Sequence, residues 1–182
     1  MTTNPGIRDV LTFWFEAGPE RWYTKDTGFD EEIRERFLAL HEQAAEGGLT
    51  AWEQVPKAAL ALIILLDQFP RNMFRGTPRS FATDPLARDV AGRAILRGFD
   101  RTVEPIERQF FYLPLMHSEE LADQDHCLAL YKANGPAEGL PFAEEHRAII
   151  IRFGRFPHRN PLLGRAMTED EQRFLDEGGF AG

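Results

Sequence analysis

The sequence predicts an all-α fold built as an array of antiparallel helical hairpins. Apolar residues recur at three- and four-residue spacing along most of the chain, and Pro or Gly separates one such stretch from the next. The period-2 alternation around a hairpin turn that is typical of paired strands does not occur. The β-branched run Ile149-Ile150-Ile151 follows ordinary helical sequence from Phe142 to Ala148, so we expect it to be helical as well.

The first two helices are predicted from their ends and their apolar stripes. Asn4-Pro5 is expected to begin the first, because proline suits the first helical turn. The apolar residues of this helix are Val10, Phe13, Trp14 and Ala17. The second covers Phe29–Glu46, has an acidic first turn and is ended by Gly47-Gly48. Its apolar stripe consists of Ile33, Phe37, Leu40 and Ala44.

Capping boxes, and the prolines and glycines that begin or end helices, predict the later helices. A capping box at Thr50–Glu53 precedes the apolar run Ala58–Leu66, which is expected to be buried on every side. A second capping box, Thr168–Glu171, precedes the last short helix. Asp84-Pro85 opens a helix that Gly98 closes. Three further helices are predicted at Pro105–Leu113, Glu119–Lys132 and Pro141–Phe153.

Length and composition limit the classes of protein to which the chain can belong. Its 182 residues suggest a single domain over residues 1–182, and a hydrophobic fraction of 43% can fill a sizeable core. The net charge of −8 argues against a nucleic-acid partner and against an anionic membrane. One cysteine, Cys127, excludes an internal disulfide framework. Without a signal sequence or an apolar run long enough to span a bilayer, the chain is expected to be soluble and cytoplasmic.

Two segments of the chain resemble each other. Ala61–Asn72 aligns with Ala148–Asn160 once His158 is treated as an insertion. Each is an apolar stretch that reaches Phe-Pro and continues to Arg and Asn. Because proline disfavours helix in the preceding residue, Phe69 and Phe156 are predicted to mark helix ends or kinks. A repeated unit fits the hairpin array, and chance similarity of two helix ends explains the match equally well.

The first candidate site follows the buried apolar run. Its end carries Asp67 and Gln68 into the interior or to the floor of a cleft. A carboxylate near a helix C-terminus is opposed by the helix dipole and needs a cationic partner, for which Arg71, Arg75 or Arg152 is available. The alternative is a structural Asp–Arg pair that fixes a turn.

The second candidate is the window from His146 to Arg165, which contains five arginines and no acidic residue. Such a cluster must meet an anion or acidic residues from elsewhere, because unpaired buried charge is costly. Guanidinium groups suit carboxylates and phosphates, which favours an anion-binding pocket. The alternatives are a macromolecular contact or a salt-bridge network, whose expected acids are Asp67, Asp84, Glu119 and Glu120.

The third candidate follows the apolar segment Phe110–Met116. His117 can act as a general acid or base near neutral pH, oriented by Glu119 or Glu120. Ser118 lacks the Gly-x-Ser-x-Gly context of a nucleophile, and its expected role is a helix N-cap. Metal-ligand spacing is poor and the glycine motifs of nucleotide-binding loops do not occur, so no metal or other cofactor is expected.

These motifs together resemble the domain-of-unknown-function 924 family of bacterial proteins. The motifs that carry the resemblance are Phe13-Trp14-Phe15, Leu65–Asn72, Phe110–Glu119, Phe153–Asn160 and Leu163-Gly164-Arg165, among others. They extend over nearly the whole chain. The resemblance implies a helical fold similar to the tetratricopeptide-like superfamily, and it implies no established activity. A protein partner is implied only by analogy of fold, and the chain lacks a regular 34-residue repeat.

The leading hypothesis is a helical protein with one polar pocket that binds a small anion bearing a carboxylate or a phosphate. The predicted lining residues are Asp67, Gln68, Arg71, Asn72, Arg75, His117, Glu119, Arg152, Arg155, His158, Arg159 and Asn160. This pocket requires the two Phe-Pro segments to lie on the same side of the fold, so that Asp67 meets Arg152 or Arg155.

Two further hypotheses stay open. In the first, the pocket belongs to a hydrolase or transferase in which His117 or His158 acts as acid or base, and Asp67 is a further catalytic candidate. In the second, the chain is an interaction scaffold whose polar motifs serve structure alone and whose surface exposes large aromatic residues. The aromatic residues expected at that surface are Trp22, Tyr23 and Trp52.

Overall fold

The computed structural model describes residues 6–182, and these residues are helical with no strand among them, as the sequence predicts. The α-helices are α1 (Ile7–Ala17), α2 (Pro19–Trp22), α3 (Thr27–Ala45), α4 (Pro56–Ile63), α5 (Phe69–Met73), α6 (Asp84–Leu96), α7 (Pro105–Met116), α8 (Leu121–Asn134), α9 (Leu140–Phe153) and α10 (Glu169–Asp176). The predicted start of the first helix at Asn4-Pro5 lies outside the described residues.

Helix α3 presents the predicted apolar stripe to the main core. It begins at Thr27, two residues earlier than predicted, because the Asp26 carboxylate accepts a hydrogen bond from the Phe29 backbone N–H at 3.0 Å. Asp26 is therefore the N-cap, a role that short polar side chains fill best. The buried apolar residues of α3 are Phe29, Ile33, Phe37, Leu40 and Ala44.

Aromatic side chains join α1 and α2 to this core. The rings of Trp14 and Trp22 stack with their centroids 5.7 Å apart, and the Trp22 indole N–H donates to the Trp14 carbonyl at 2.7 Å. Trp22 is therefore buried, and its predicted exposure is wrong, because burying a large indole against another ring outweighs leaving it in water. Tyr23 is exposed as expected, and Trp52 is half-buried.

The centre of the fold is a continuous helical segment from Pro56 to Met73. It consists of α4, a π-helical turn over Ile64–Gln68, and α5. Every residue from Ala58 to Pro70 is buried, and α4 packs against α1, α6 and α7. The prediction that the apolar run is covered on all sides is confirmed.

A proline explains the π-helical turn. In a regular α-helix, Pro70 has no N–H for the Leu66 carbonyl, and its ring collides with that carbonyl. Here the helix widens, and the Phe69 N–H bonds the Ile64 carbonyl five residues earlier. The helix therefore continues through Phe69. Of the two outcomes predicted at this residue, a helix end is wrong, and a kink stays a prediction.

Side chains from other elements satisfy the carbonyls that the wider turn releases. The Thr83 hydroxyl donates to the Leu66 carbonyl at 2.6 Å, and His41 Nδ1 donates to the Leu65 carbonyl at 2.9 Å. All four residues are buried, so these carbonyls have no access to bulk water. These tertiary hydrogen bonds thus allow the helical segment to continue through Pro70.

Other helix boundaries also differ from those predicted. Thr50–Gln54 is a 3-10 turn without a side-chain cap, so the first capping box is wrong and α4 begins at Pro56. Helix α7 continues past Leu113 with Pro114 inside it, whereas the capping box of Thr168–Glu171 is confirmed at α10.

The second Phe-Pro segment is built differently from the first. Helix α9 ends at Phe153, and Gly154 follows with a φ of +68°, which only glycine adopts without strain. Phe156 lies beyond that end, and Pro157–Arg159 forms a 3-10 turn. The two aligned segments are therefore not equivalent, since Phe69 lies inside a helix.

Successive helices pack on one another from α6 to α9, and a second apolar cluster holds α10. Its residues are Ile149, Ile150, Phe153, Phe156, Phe174 and Phe180. The hairpin array stays a prediction. Over residues 6–182, none of the helices has the length and apolar character needed to cross a membrane.

We expect Thr83→Val to lower the free energy of unfolding by about 1–3 kcal/mol, because it leaves the buried Leu66 carbonyl without its donor. For a chain of this size the melting temperature falls by roughly 2–12 °C. Thr102→Val is the matched control, since it removes an exposed hydroxyl bound to the Phe99 carbonyl at 2.8 Å. Equal losses in the two variants, measured by urea denaturation, contradict the role given to Thr83.

Candidate functional site

A buried carboxylate and an imidazole form the centre of the candidate site. Asp67 lies in the π-helical turn with a side chain that is 0% exposed, and His117 caps the C-terminus of α7 with 16% of its side chain exposed. His117 Nδ1 is 2.8 Å from Asp67 Oδ1. A carboxylate only accepts hydrogen bonds, so Nδ1 carries the proton and Nε2 is the basic nitrogen of the neutral ring. Gln68 donates to the other Asp67 oxygen.

Two arginines share the carboxylate of Asp84 at the start of α6. Arg71 binds both Asp84 oxygens, at 3.0 and 3.1 Å, and its Nη1 lies 3.4 Å from Asp67 Oδ1. Arg159 Nη1 lies 3.5 Å from Asp84 Oδ2. The two Phe-Pro segments therefore do lie on the same side of the fold, and Asp84 joins them.

The Arg159 guanidinium contacts two aromatic rings. Its central carbon is 4.7 Å from the Phe81 centroid and 4.6 Å from the Phe156 centroid. The side chain is 9% exposed, and among the described residues its buried Nε has no hydrogen-bond partner. Most buried polar groups are paired, so Arg159 carries unused donor capacity in the interior.

Other unpaired atoms concentrate in the same segment. Over the described part of the chain, His158 Nδ1, Asn160 Oδ1 and Arg165 Nε are also buried without a hydrogen-bond partner. With Arg159 Nε, they lie within eight consecutive residues. The segment 158–165 thus offers several polar atoms whose hydrogen-bonding capacity is not used by the protein.

Burial and neighbouring charges set the protonation states of the cluster. Burial and the Arg71 charge lower the pKa of His117, and Asp67 opposes this only in part, so the ring is neutral at pH 7. Burial and Arg71 also lower the pKa of Arg159, to about 10. For Asp67, burial acts to raise the pKa, but Arg71 and His117 outweigh it and the carboxylate stays ionised. The Asp84 carboxylate contacts both Arg71 and Arg159, so the two acids and the two arginines balance in charge.

Asn72 and Arg75 belong to a different contact. Asn72 Nδ2 donates to Asp30 at 2.8 Å, and Arg75 donates to both Asp30 oxygens at 2.7 and 2.9 Å. Asp30 lies in the first turn of α3, so these bonds tie α3 to the end of α5. Arg75 is therefore not the partner of Asp67, because the chain after α5 faces α3.

Arg152 and Arg155 also lie away from Asp67. Arg152 binds Asp170 at 2.8 Å in an exposed pair, and Arg155 binds both oxygens of Glu171 at 2.6 and 2.8 Å. The prediction that Asp67 meets either arginine is wrong, because α10 supplies the acids to which both are paired.

Glu119 does not orient His117, contrary to expectation. Its carboxylate binds Arg165 at 2.7 and 2.9 Å and accepts a hydrogen bond from the Phe156 backbone N–H at 2.8 Å. Asp67 fills the orienting role instead, since it lies deeper in the fold on the Nδ1 side of the ring.

Ser118 contributes to the start of α8. Its hydroxyl accepts from the Glu120 N–H at 3.1 Å and donates to Asp123 at 2.6 Å. The N-cap itself is Glu120 rather than Ser118, so the predicted position is two residues too early. With its proton directed at Asp123, Ser118 has no base of the kind that a nucleophile needs.

The salt-bridge alternative describes most of the arginine window. Besides the pairs of Arg152, Arg155 and Arg165, Arg147 binds Asp125 at 2.5 Å. Of the expected acids, Asp84 and Glu119 pair with arginines of the window. Asp67 pairs with Arg71 and His117 outside it, and no described ion pair uses Glu120. Arg159 differs from the other four because its contact with Asp84 is long and shared.

Sequence reasoning left three residues out of the predicted lining. Asp84 was expected only as a neutralising acid, and Phe81 and Phe156 were not expected to enclose a guanidinium. The available signal was local, because Phe81 precedes the Asp84-Pro85 helix start by three residues and Phe156 directly precedes a proline.

Two surface clefts, each with a volume of about 380 Å³, lie away from Asp67. One is between α1 and α3, and the other is lined by Arg152, Arg155 and residues of α10. Within the Asp67 cluster, Arg71 and Asp84 have 21% and 16% of their side chains exposed.

Comparison with known proteins identifies similar chains. A family model described as a bacterial protein of unknown function, DUF924, matches residues 10–179. The solved structure of ATU0120, a protein of unknown function from Agrobacterium tumefaciens, is 48% identical and has a TM-score of 0.91. The match covers 94% of this chain and 97% of that one. Among curated protein sequences, none matches this chain.

We expect the free energy of unfolding to fall as the pH decreases from 6.5 to 5. Burial lowers the pKa of His41 and His117, and it lowers that of His146 to about 4 and of His158 to about 3. These rings stay neutral in the fold, whereas the unfolded chain takes up protons below about pH 6.5. Because the unfolded state binds more protons, acid favours it.

Urea denaturation at several pH values measures this slope. His146→Gln removes one of the neutral rings, so its stability falls less steeply than that of the wild type. His126→Gln changes an exposed histidine and should retain the wild-type slope. A stability that is constant between pH 6.5 and 5 contradicts the neutral state of the buried histidines.

Proposed function

The chain belongs to the DUF924 family of bacterial proteins, and we propose that it binds a small anion, bearing a carboxylate or a phosphate, at Arg159 beside the Asp67–His117 pair. The observation that carries this proposal is the incomplete pairing of a buried guanidinium. Arg159 has a free Nε and one contact with Asp84 at 3.5 Å, which it shares with Arg71. An anion bound to the guanidinium edge supplies the acceptors that the protein does not.

The aromatic walls favour binding in one orientation. The Arg159 guanidinium carbon lies 4.7 Å from the Phe81 centroid and 4.6 Å from the Phe156 centroid, so both rings limit the directions from which a ligand can reach the guanidinium. Ring faces attract a cation and keep water away from it. Hydrogen bonds from the edge are therefore stronger than on an open surface, because the local dielectric constant is lower.

The charge balance of the cluster couples anion binding to protonation of His117. With His117 neutral, the acids Asp67 and Asp84 cancel the charges of Arg71 and Arg159. An added anion leaves one negative charge in excess, and the group nearest to neutral pH that can compensate is His117. Anion binding should thus raise the pKa of His117, so that the share of anion-bound chains carrying an extra proton on this ring grows as the pH falls, while the ring stays neutral on the alkaline side of that pKa.

We expect acetate or inorganic phosphate, at about 100 times its dissociation constant, to raise the free energy of unfolding by about 2.7 kcal/mol. The melting temperature then rises by roughly 5–10 °C for a chain of this size. Arg159→Gln should abolish this rise, and differential scanning fluorimetry measures it. Arg155→Gln is the matched control, because Arg155 binds both oxygens of Glu171 through its Nε and Nη2, and this variant should retain the ligand-induced rise.

A rise that survives in Arg159→Gln, or the absence of any rise with acetate and phosphate in the wild type, contradicts the proposed site. If Arg159 serves only to pair with Asp84 within a salt-bridge network, neither acetate nor phosphate raises the melting temperature of the wild type.

Proton uptake is a separate prediction. Acetate, which is fully ionised from pH 6 to pH 8, should bind more tightly as the pH falls through this range. Titration calorimetry in bis-tris and in Tris, which differ in ionisation enthalpy, measures the protons taken up per bound acetate. His117→Gln should bind acetate without that uptake, and equal uptake in this variant assigns the proton to another group and contradicts the coupling.

A further inference from the structure

Resting on the proposed anion site, we infer that Asp67 and His117 form a general-base site that hydrolyses an ester whose own carboxylate is held by Arg159. His117 is the catalytic residue in this inference, and Asp67 is a positioning residue that acts through it. The proposed function requires binding alone, so the inference adds both a reaction and a class of substrate.

The first argument is the orientation of the imidazole. Asp67 Oδ1 holds the Nδ1 proton at 2.8 Å, which fixes the ring and leaves the lone pair on Nε2. No described residue forms a hydrogen bond with Nε2, and part of the ring is exposed. A base needs this combination of a fixed ring and a free basic nitrogen.

The second argument is the set of groups that face His117. They are Asp67 from the π-helical turn, Arg71 from α5, Asp84 from α6 and His146 from α9. Burial and Arg71 keep the ring neutral at pH 7, so that it can accept a proton. The carboxylates of Asp67 and Asp84 then stabilise the imidazolium ion that forms.

The location of Asp67 gives a third argument. Burying a carboxylate completely is costly unless several partners compensate it, and the π-helical turn that carries Asp67 is a departure from regular helix. Such turns occur frequently at functional sites, and so do buried acid–base pairs flanked by charged groups.

His158 does not fit the same role. Among the described residues its buried Nδ1 has no hydrogen-bond partner, so no carboxylate orients the ring. Burial and the neighbouring Arg159 lower its pKa to about 3, which makes it a poor base at neutral pH. The Phe180 ring also covers it, with centroids 5.2 Å apart.

The proposed reaction is balanced without a further reactant. His117 Nε2 takes a proton from water while the water oxygen bonds to the acyl carbon, and the carbonyl electron pair moves to its oxygen. The positive charge of Arg71 lies beside this centre and stabilises the oxyanion. When the carbonyl re-forms, the bond to the leaving oxygen breaks and that oxygen takes the proton from His117. One ester and one water thus give one acid and one alcohol or phenol.

The charges of the site select a substrate with a single negative charge. Arg159 is the arginine of the cluster with unused donors, and its edge matches one carboxylate. Asp67 and Asp84 repel further negative charge nearby. A monocarboxylate ester therefore fits better than a doubly charged phosphomonoester.

The test compares two acetate esters that differ in one carboxylate, 4-acetoxybenzoate and phenyl acetate. We expect the wild-type chain to hydrolyse 4-acetoxybenzoate, and His117→Gln to lower kcat/KM by about 10²–10⁴-fold. Arg159→Gln should raise the KM for 4-acetoxybenzoate and remove the preference for it over phenyl acetate, with a smaller change in kcat. His126→Gln, which changes an exposed histidine on α8, should retain wild-type activity.

Two measurements test the positioning role of Asp67. In Asp67→Asn the carboxylate that opposes the lowering of the His117 pKa is lost, so the acid limb of the kcat/KM profile should move to lower pH. A purely structural role leaves that limb in place. Nitrogen-15 NMR of the wild-type chain should show His117 protonated at Nδ1 and not at Nε2, and this readout does not depend on a variant that folds.

The outcomes separate this inference from the proposed function. Hydrolysis no faster than in His117→Gln, or a ring protonated at Nε2, overturns the general-base site. If the general-base site fails but acetate still binds the wild type and does not bind Arg159→Gln, the proposed anion site is retained. Hydrolysis that requires His117 but treats both esters alike overturns the assignment of the substrate carboxylate to Arg159.

Discussion

The buried carboxylate of Asp67 is the constraint on which the arrangement of this protein depends. It lies inside the most apolar helical segment of the chain, where an ionised group is tolerated only if other charges and donors surround it. Gln68 and Arg71 supply partners from the same segment, and His117 supplies one from α7. The hydrogen bond between His117 and Asp67 therefore helps to hold the end of α7 against the central helical segment.

The need to pair buried charges also determines the contacts of the surrounding arginines. Arg71 serves Asp84 as well as Asp67, and this leaves Arg159 with a long, shared contact. The arginines that are placed further from Asp67 have carboxylates of their own. Helix α10 supplies those of Arg152 and Arg155, and residues 119 and 125 supply those of Arg165 and Arg147. The result is a network that is closed at its periphery and incompletely paired at its centre, and the proposed anion occupies that centre.

Local sequence patterns predicted the helices and their buried faces well, and predicted the ends of the helices poorly. The stripe of α3 and the burial of Ala58–Leu66 follow from periodicity and composition, which neighbouring residues carry by themselves. A helix end, one of the two outcomes predicted at Phe69, does not occur, because the rule about proline assumes that the released carbonyl has no other donor. Thr83, from a segment well beyond the turn, provides that donor. The rule correctly describes the cost of losing the hydrogen bond at Pro70, and the Thr83 hydroxyl offsets that cost by donating to the released carbonyl.

For the candidate site, periodicity and composition were enough to predict an all-α chain in which Asp67, Arg71 and His117 lie at the ends of buried apolar stretches. They also indicated that the arginines of residues 146–165 need acids from other parts of the chain. The packing of the helices selects those acids, and it places Arg159, rather than Arg152 or Arg155, next to the cluster. The reason is physical: burial follows from local hydrophobicity, whereas the partner of a charge depends on which helices pack together.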